Sequence, residues 1–358
     1  MMPYDLLIIL LLSFVVSAVS MPLIIKFSDK NGFHDYIDER KVHSGKISRL
    51  GGLGIFLGFG SAFIYLLIFD FAVQFNVVLF IIAMLVAFLT GFLDDLFYIR
   101  AWHKLILQLL CGLVVAYAGL RIQKITILED VTIYFGIFSY VATMLWVSGF
   151  MNAINMLDGL DGLASGIVMI ASISLGIIGW LEGTLVVTYL AIALIGAIGG
   201  FLIFNFPPAK IFMGDGGAYF LGFIYAVVPL IGIKKTASII IFLIPLVLLL
   251  VPLVDMVTVM KKRFSGGYHV FLADRSHIHH RLLHIGFTNR GILLVLYLYS
   301  IVLGAFAILM MHLRPFHSFI LMVLLICLTL LAFYTISVAE QEIERLEKNS
   351  EKNSSPEK

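Results

Sequence analysis

Two adjacent carboxylates, Asp94 and Asp95, close an apolar run and are followed by Arg100 and Lys104. Side by side at a membrane face they repel each other and lose hydration. They persist there by binding a cation or a proton, or by reaching water. The plainer alternative is a solvated pair that ends a helix. A second stretch, Asn152-Ala-Ile-Asn155-Met-Leu-Asp158-Gly-Leu-Asp161-Gly, places a polar residue at every third position. Each step of three turns a helix by about 300°, so these side chains form one slowly drifting polar face. Amides and carboxylates on such a face suit a hydrated divalent cation or the edge of a nucleotide base. A polar loop between apolar segments is the bland alternative. It fits poorly, because Asn152 and Asn155 still lie within the apolar block, where polar groups need partners.

A third stretch runs Phe206-Pro-Pro-Ala-Lys210-Ile-Phe-Met213-Gly-Asp215-Gly-Gly. The prolines stop the preceding helix, and a Gly-Asp-Gly-Gly turn opens the next. Free backbone N–H groups at a helix start, with no side chains in the way, make an anion site. A carboxylate in that turn then points to a metal bridging to a phosphate, because an unaided Asp would repel the anion. Asp215 as a simple N-cap is the alternative. Asp255, in Val-Pro-Leu-Val-Asp-Met, is a lone acid in an apolar span. Such an acid reads as functional by default, with a structural partner as the alternative.

The densest stretch is Asp274-Arg275-Ser-His277-Ile-His279-His280-Arg281-Leu-Leu-His284. His280 and His284 have the i, i+4 spacing of zinc ligands, but no Glu completes HExxH and no Cys joins them. Recognition of an anion by Arg and His donors fits better. A basic, then Gly-rich loop, Arg40-Lys41-Val-His43-Ser-Gly-Lys46-Ile-Ser-Arg49-Leu-Gly-Gly, adds Lys46 and Arg49 as phosphate-facing candidates. A basic flank obeying the positive-inside rule would also explain its charge.

What must position these residues is a bundle in a membrane. The 358-residue chain is 61% hydrophobic and 13% charged, against roughly 25% charge in a soluble domain. Apolar blocks long enough to span a bilayer recur. Eleven are read, near 4–25, 51–69, 77–93, 105–120, 137–155, 163–180, 185–204, 218–233, 237–259, 292–312 and 316–337. The expected fold is therefore an all-α polytopic membrane protein, with one catalytic domain over 1–337. Residues 338–358 form a charged tail, helical from Ala339 and fraying into disorder. No Lys or Arg precedes the first block, so it reads as a retained span rather than a signal peptide.

Five of the 24 Lys and Arg residues, Arg121, Lys124, Lys234, Lys235 and Arg314, fall on one side of these spans, and the rest on the other. This bias puts the N-terminus outside, the C-terminus inside and every cluster above on the cytoplasmic face. On the outer face, residues 121–135 alternate and are β-branched, which predicts a short hairpin. Cys111 and Cys327 sit in apolar blocks and give no disulfide or metal pattern. No internal repeat appears, and the basic residues flank spans, so no nucleic-acid partner is indicated.

A transporter keeps its ionisable groups near the bilayer midplane. Here carboxylates, amides, Gly turns and His/Arg converge at one face. That layout suits an enzyme joining a water-soluble anionic substrate to a lipid.

Together, Asp94-Asp95, Asn152…Asn155…Asp158-Gly…Asp161-Gly-Leu, Met213-Gly-Asp215-Gly-Gly and Asp274-Arg275…His277-Ile-His279-His280 resemble the polyprenyl-phosphate N-acetylhexosamine-1-phosphate transferases. The resemblance runs in order from about residue 26 to 285. The His277-Ile-His279-His280 form is similar to the bacterial branch that transfers GlcNAc 1-phosphate to undecaprenyl phosphate, the first step of enterobacterial common antigen, O-antigen and wall teichoic acid synthesis. The phospho-MurNAc-pentapeptide translocases carry a different His-rich loop and rank second. A transporter or lipid-binding scaffold is the rival from another class. Where relatives often have Pro-Arg before the Gly-Gly, this chain has Ser48-Arg49.

The resemblance implies a multi-pass bacterial plasma-membrane enzyme that takes a UDP-sugar and a polyprenyl phosphate and uses Mg2+, with Mn2+ as an alternative. It leaves a homodimer open. Asn155 and Asp215 are implied as metal ligands and Asp161 as a reader of uracil, with Asn152 also in the substrate site. Arg275, His277, His279, His280 and Arg281 would hold pyrophosphate and sugar, with Lys46, Arg49 and Asp255 assigned to substrate binding. Asp94 and Asp95 would sit where the lipid phosphate enters, and Asp158 and Asp215 would share the catalytic centre.

Overall fold

The computed structural model describes residues 3–33, 47–69, 75–128, 131–232, 239–265 and 277–354. Within them the chain is almost entirely helical. The first half holds α1 (Pro3–Asn31), α2 (Gly51–Ile68), α3 (Val77–Phe97), α4 (Ala101–Tyr117), strands β1 (Lys124–Leu128) and β2 (Val131–Tyr134), α5 (Phe138–Leu157) and α6 (Leu163–Leu181). The second half holds α7 (Leu185–Asn205), α8 (Gly214–Gly232), α9 (Ile240–Leu248), α10 (Leu250–Ser265), α11 (Ile278–His284), α12 (Asn289–Met310) and α13 (Pro315–Ser354).

Eight of the described helices are long and apolar enough to cross a bilayer: α1, α2, α3, α6, α7, α8, α12 and the apolar part of α13. The pair α9–α10 adds a ninth if counted as one span, bent by 77° at its break. Each of the eleven expected segments coincides with a helix or, for 237–259, with the pair α9–α10 over its described residues, but two do not qualify as spans by length and composition. The helix α4 has 17 residues, and α5 is diluted by Ser139, Thr143, Ser148, Asn152 and Asn155. These polar residues are tolerated because Ser139, Thr143 and Ser148 are buried where α5 packs on α4, α8 and α10, while Val141 and Leu145 form its exposed face.

The centre of the bundle is α8. Every residue from Gly216 to Ile231 is buried, and the helix packs on α2, α3 and α5. Phe220 meets Phe56 and Phe59 edge-on at 5.3 and 5.5 Å, and Phe56 stacks on Phe88 at 4.4 Å. These aromatic contacts lock α2, α3 and α8 together just behind the polar end of the bundle. On the opposite side of the molecule, β1 and β2 pair antiparallel, with Lys124 opposite Tyr134 and Thr126 opposite Thr132. This is the hairpin that the alternation predicts.

Candidate active site at one end of the bundle

The turn before α8 organises the site. Gly214 has φ +71°, and a Cβ there would lie 2.1 Å from the Arg49 carbonyl, so only glycine fits this turn. Gly91 of α3 lies so close that a Cβ would come within 2.2 Å of the Asp215 backbone. The backbones of α3 and α8 therefore touch, which carries Asp94 and Asp95 up to Asp215. The segment before α2 is tied in by backbone bonds. Phe212 N donates to Ser48 O (2.8 Å), Gly51 N to Phe212 O (2.9 Å) and Gly52 N to Met213 O (2.8 Å). Arg49 is thereby held 3.9 Å from both the Asp95 and Asp215 carboxylates.

The two adjacent acids have different surroundings. Asp95 is buried, and its Oδ1 and Oδ2 accept from the Asp215 and Gly216 N–H groups, each at 3.0 Å. It caps the N-terminus of α8 from another helix, where a carboxylate complements the helix dipole. Asp94 accepts from Ile99 N at 2.6 Å and from Lys104 Nζ at 2.8 Å. The same ammonium donates to Asp215 Oδ2 at 3.0 Å and lies 6.0 Å from the centre of the Tyr219 ring. Lys104 is thus a member of the cluster, although the sequence marks it only as a basic neighbour of Asp94-Asp95.

The polar face of α5 divides. Asn152 turns back into the bundle and pairs amide to amide with buried Gln108 of α4, at 2.6 and 3.3 Å, while also donating to Ser148 O. Asn152, expected in the substrate site, thus has its amide engaged by Gln108 of α4 and by the α5 backbone. Asn155 and Asp158, one turn on, make no side-chain hydrogen bond among the described residues. Asp158 follows the last residue of α5. Burial pushes its carboxyl up to about 8; Asp215 adds repulsion and Arg49 opposes it, so Asp158 faces the same cluster. Asp161 is buried and accepts from Ala209 N at 3.1 Å. Asn205, the last residue of α7, accepts from Gly162 N (2.9 Å) and donates to Ile211 O (2.9 Å). That amide joins the 158–162 turn to the segment leading into Asp215. Neither Asn205 nor Gln108 stands out in the sequence, because each acts on a partner distant along the chain.

The His-rich segment forms the seven-residue α11. Its N-cap, His277, is set by Asp255 of α10: Oδ2 lies 2.8 Å from His277 Nδ1, and Oδ1 accepts from Ile278 N at 2.8 Å. Both oxygens of Asp255, expected to take part in substrate binding, are engaged by the start of α11. The carboxylate orients the histidine. His279 is 1% exposed and lies against Gly159, and neither ring nitrogen has a hydrogen-bond partner among the described residues. Burial, then His280 and His277, lower its pKa to about 3. The half-buried His280 ring is centred 4.3 Å from that of His279. Arg281 is buried, its Nε 3.8 Å from Glu340 Oε2. Lys46 and Arg275 lie outside the described residues.

Three features therefore meet at one end of a membrane bundle: an acid–ammonium cluster, a loop floored by Asp158–Gly162, and a short helix presenting imidazoles. This is the layout of a polytopic enzyme handling an anion. The family model described as glycosyl transferase family 4 matches residues 77–233. A protein from Bacillus subtilis named as a probable undecaprenyl-phosphate N-acetylglucosaminyl 1-phosphate transferase is 30% identical over 341 residues, covering 93% of this chain and 94% of its own. Enzymes named undecaprenyl-phosphate alpha-N-acetylglucosaminyl 1-phosphate transferase are similar too. The one from Yersinia pestis is 29% identical, covering 88% of this chain and 87% of its own. That from Escherichia coli K12 is 28% identical, covering 86% and 84%. The chain belongs to glycosyl transferase family 4.

Proposed function

We propose that this protein transfers GlcNAc 1-phosphate from UDP-GlcNAc to undecaprenyl phosphate, releasing UMP and leaving a lipid-linked pyrophosphoryl sugar. The observation that carries the reading is the meeting of Asp94, Lys104, Arg49 and Asp215 beside Asp158. The relatives' names supply the sugar and the lipid. The Lys/Arg bias of the loops supports a site on the cytoplasmic face, where nucleotide sugars are available.

The residues fit a magnesium ion. Asn155 and Asp215 offer hard oxygen ligands. The Lys104 ammonium between Asp94 and Asp215 marks a place that demands positive charge. Among the described residues no three His, Cys, Asp or Glu side chains form a ready metal cage. Mg2+ takes one or two protein oxygens and completes its shell with water and substrate phosphates. When bound, the ion would neutralise charge on the pyrophosphate.

The remaining work falls to the chain. Asp161, with the loop Asn205 supports, would read the uracil. The α11 imidazoles and Arg281 would hold pyrophosphate and sugar. Arg49 and Lys104 would flank the transferring phosphoryl group, and Asp94 would face the entering lipid phosphate. A phosphate monoester has a second pKa near 6, so the acceptor oxygen is largely deprotonated at neutral pH. Positioning and charge neutralisation then carry the rate. That oxygen bonds to the β-phosphorus, the bond to the bridging oxygen breaks, and UMP departs with the electron pair.

The test is UMP release by purified protein given undecaprenyl phosphate and UDP-GlcNAc, with and without Mg2+. Lipid- and Mg2+-dependent release supports the reading. Release with UDP-MurNAc-pentapeptide alone keeps the chemistry and changes the sugar. No release with any UDP-sugar from folded protein favours a transporter or scaffold.

A further inference from the structure

The seven-residue α11 is too short to hold its own shape, since isolated helices below about 12 residues are marginal in water. Asp255 fixes its first turn. The helix also packs on α13, which runs unbroken for 40 residues. At 1.5 Å per residue that is about 60 Å, roughly twice the hydrocarbon thickness of a bilayer. Glu340 lies about 38 Å along this helix from Pro315, beyond the hydrocarbon and level with α11. The spanning part of α13 is anchored to its neighbour. Tyr299 and Thr329 of α12 and α13 share a hydrogen bond at 2.7 Å, and Ser318 donates to Met310 O at 3.0 Å. Leu325 and Phe333 are buried along the same helix. The helix therefore emerges from the bundle in a fixed direction, and Glu340 reaches buried Arg281.

We propose that the extension of α13 beyond the membrane is a strut for α11, and that Glu340 is a positioning residue for the donor site, acting through Arg281. The assignment to the donor site rests on the function proposed above; the strut itself does not.

Two readouts separate these. In full-length protein without substrate, Glu340→Gln is expected to raise amide hydrogen exchange across 278–285 by about two- to five-fold, the range a partly exposed ion pair supports. In turnover, KM for the UDP-sugar is expected to rise by a similar factor, with kcat and KM for the lipid phosphate nearly unchanged. Glu340→Asp, which keeps the charge, should recover most of both effects. Wild-type exchange in Glu340→Gln would overturn the strut whatever the activity. Raised exchange with equal changes in both KM values would overturn the donor-site role. If no UDP-sugar is ever turned over, the exchange result still decides the strut, so failure of the proposed reaction is distinguishable from failure of this inference.

Discussion

The carboxylate of Asp255 and the ring of His277 meet at 2.8 Å, 22 residues apart in sequence, with Asp255 almost fully buried. The pairing fixes which ring nitrogen is left facing the site, a detail that decides whether an imidazole donates or accepts. Asp255→Asn keeps the shape and removes the charge. A buried hydrogen bond to a charged group contributes about 1.5–3 kcal/mol. The variant is therefore expected to fold while its kcat/KM for the UDP-sugar falls by about ten- to a hundred-fold. Steady-state kinetics with the lipid held saturating checks this, and an unchanged kcat/KM would remove the pair from the site.

Asp94 and Asp95 should separate by what they damage. Asp95→Ala strips two acceptors from the start of α8, and loss of a helix cap costs about 0.5–2 kcal/mol. A lowered Tm in detergent is the expected result. Asp94→Asn leaves α8 capped. It is expected to keep the wild-type Tm while losing at least about a hundred-fold in rate, the scale of one preorganised electrostatic group. Equal melting and equal loss in both variants would contradict the division of labour.

Much of this site was legible along the chain, for a physical reason. A carboxylate or amide in an apolar block is costly, so Asp94-Asp95, Asn155, Asp161 and Asp255 announce themselves by context. What each one touches is not written locally. Asp95 caps a helix that starts 119 residues later (Gly214), and Asn152 pairs with Gln108 of α4, 44 residues back along the chain. Lys104 blends into the basic flank expected of any inward loop. The helical segments were readable because apolarity and length suffice. Polar α5 and the break between Leu248 and Leu250 were not readable as departures, because packing within the bundle, not local sequence, pays for them.

His279 gives a pH signature. Its native pKa of about 3 lies below the unfolded value near 6.5. Between these values the unfolded chain binds a proton that the native state does not, so stability falls as pH drops below about 6.5. Each unit costs up to about 1.4 kcal/mol, or about 2 kcal/mol by pH 5. Replacing the residue in His279→Gln should flatten that part of the profile. Denaturant unfolding between pH 7.5 and 5 in both proteins measures it. A wild-type slope in the variant would assign the loss to other groups.

Lys104 ties the charge balance of the site to its metal dependence. Its Nζ lies 2.8 Å from Asp94 and 3.0 Å from Asp215, so Lys104→Met leaves two carboxylates facing each other without their shared cation. With a nearby opposite charge removed, both acids are disfavoured in their ionised form. The variant is expected to melt at lower temperature than wild type in a chelating buffer. Added Mg2+ should then raise its Tm more than it raises that of wild type, because a ligand that binds only the native state stabilises it by mass action. Activity should still fall by about a hundred-fold or more even at saturating Mg2+, since the ammonium beside the transferring phosphoryl group is gone. A Mg2+-induced shift no larger than wild type would mean that the ammonium and the metal occupy separate places, and would weaken the assignment of Asp215 as a ligand. Full activity at high Mg2+ would mean that the lysine only balances charge and takes no part in phosphoryl transfer.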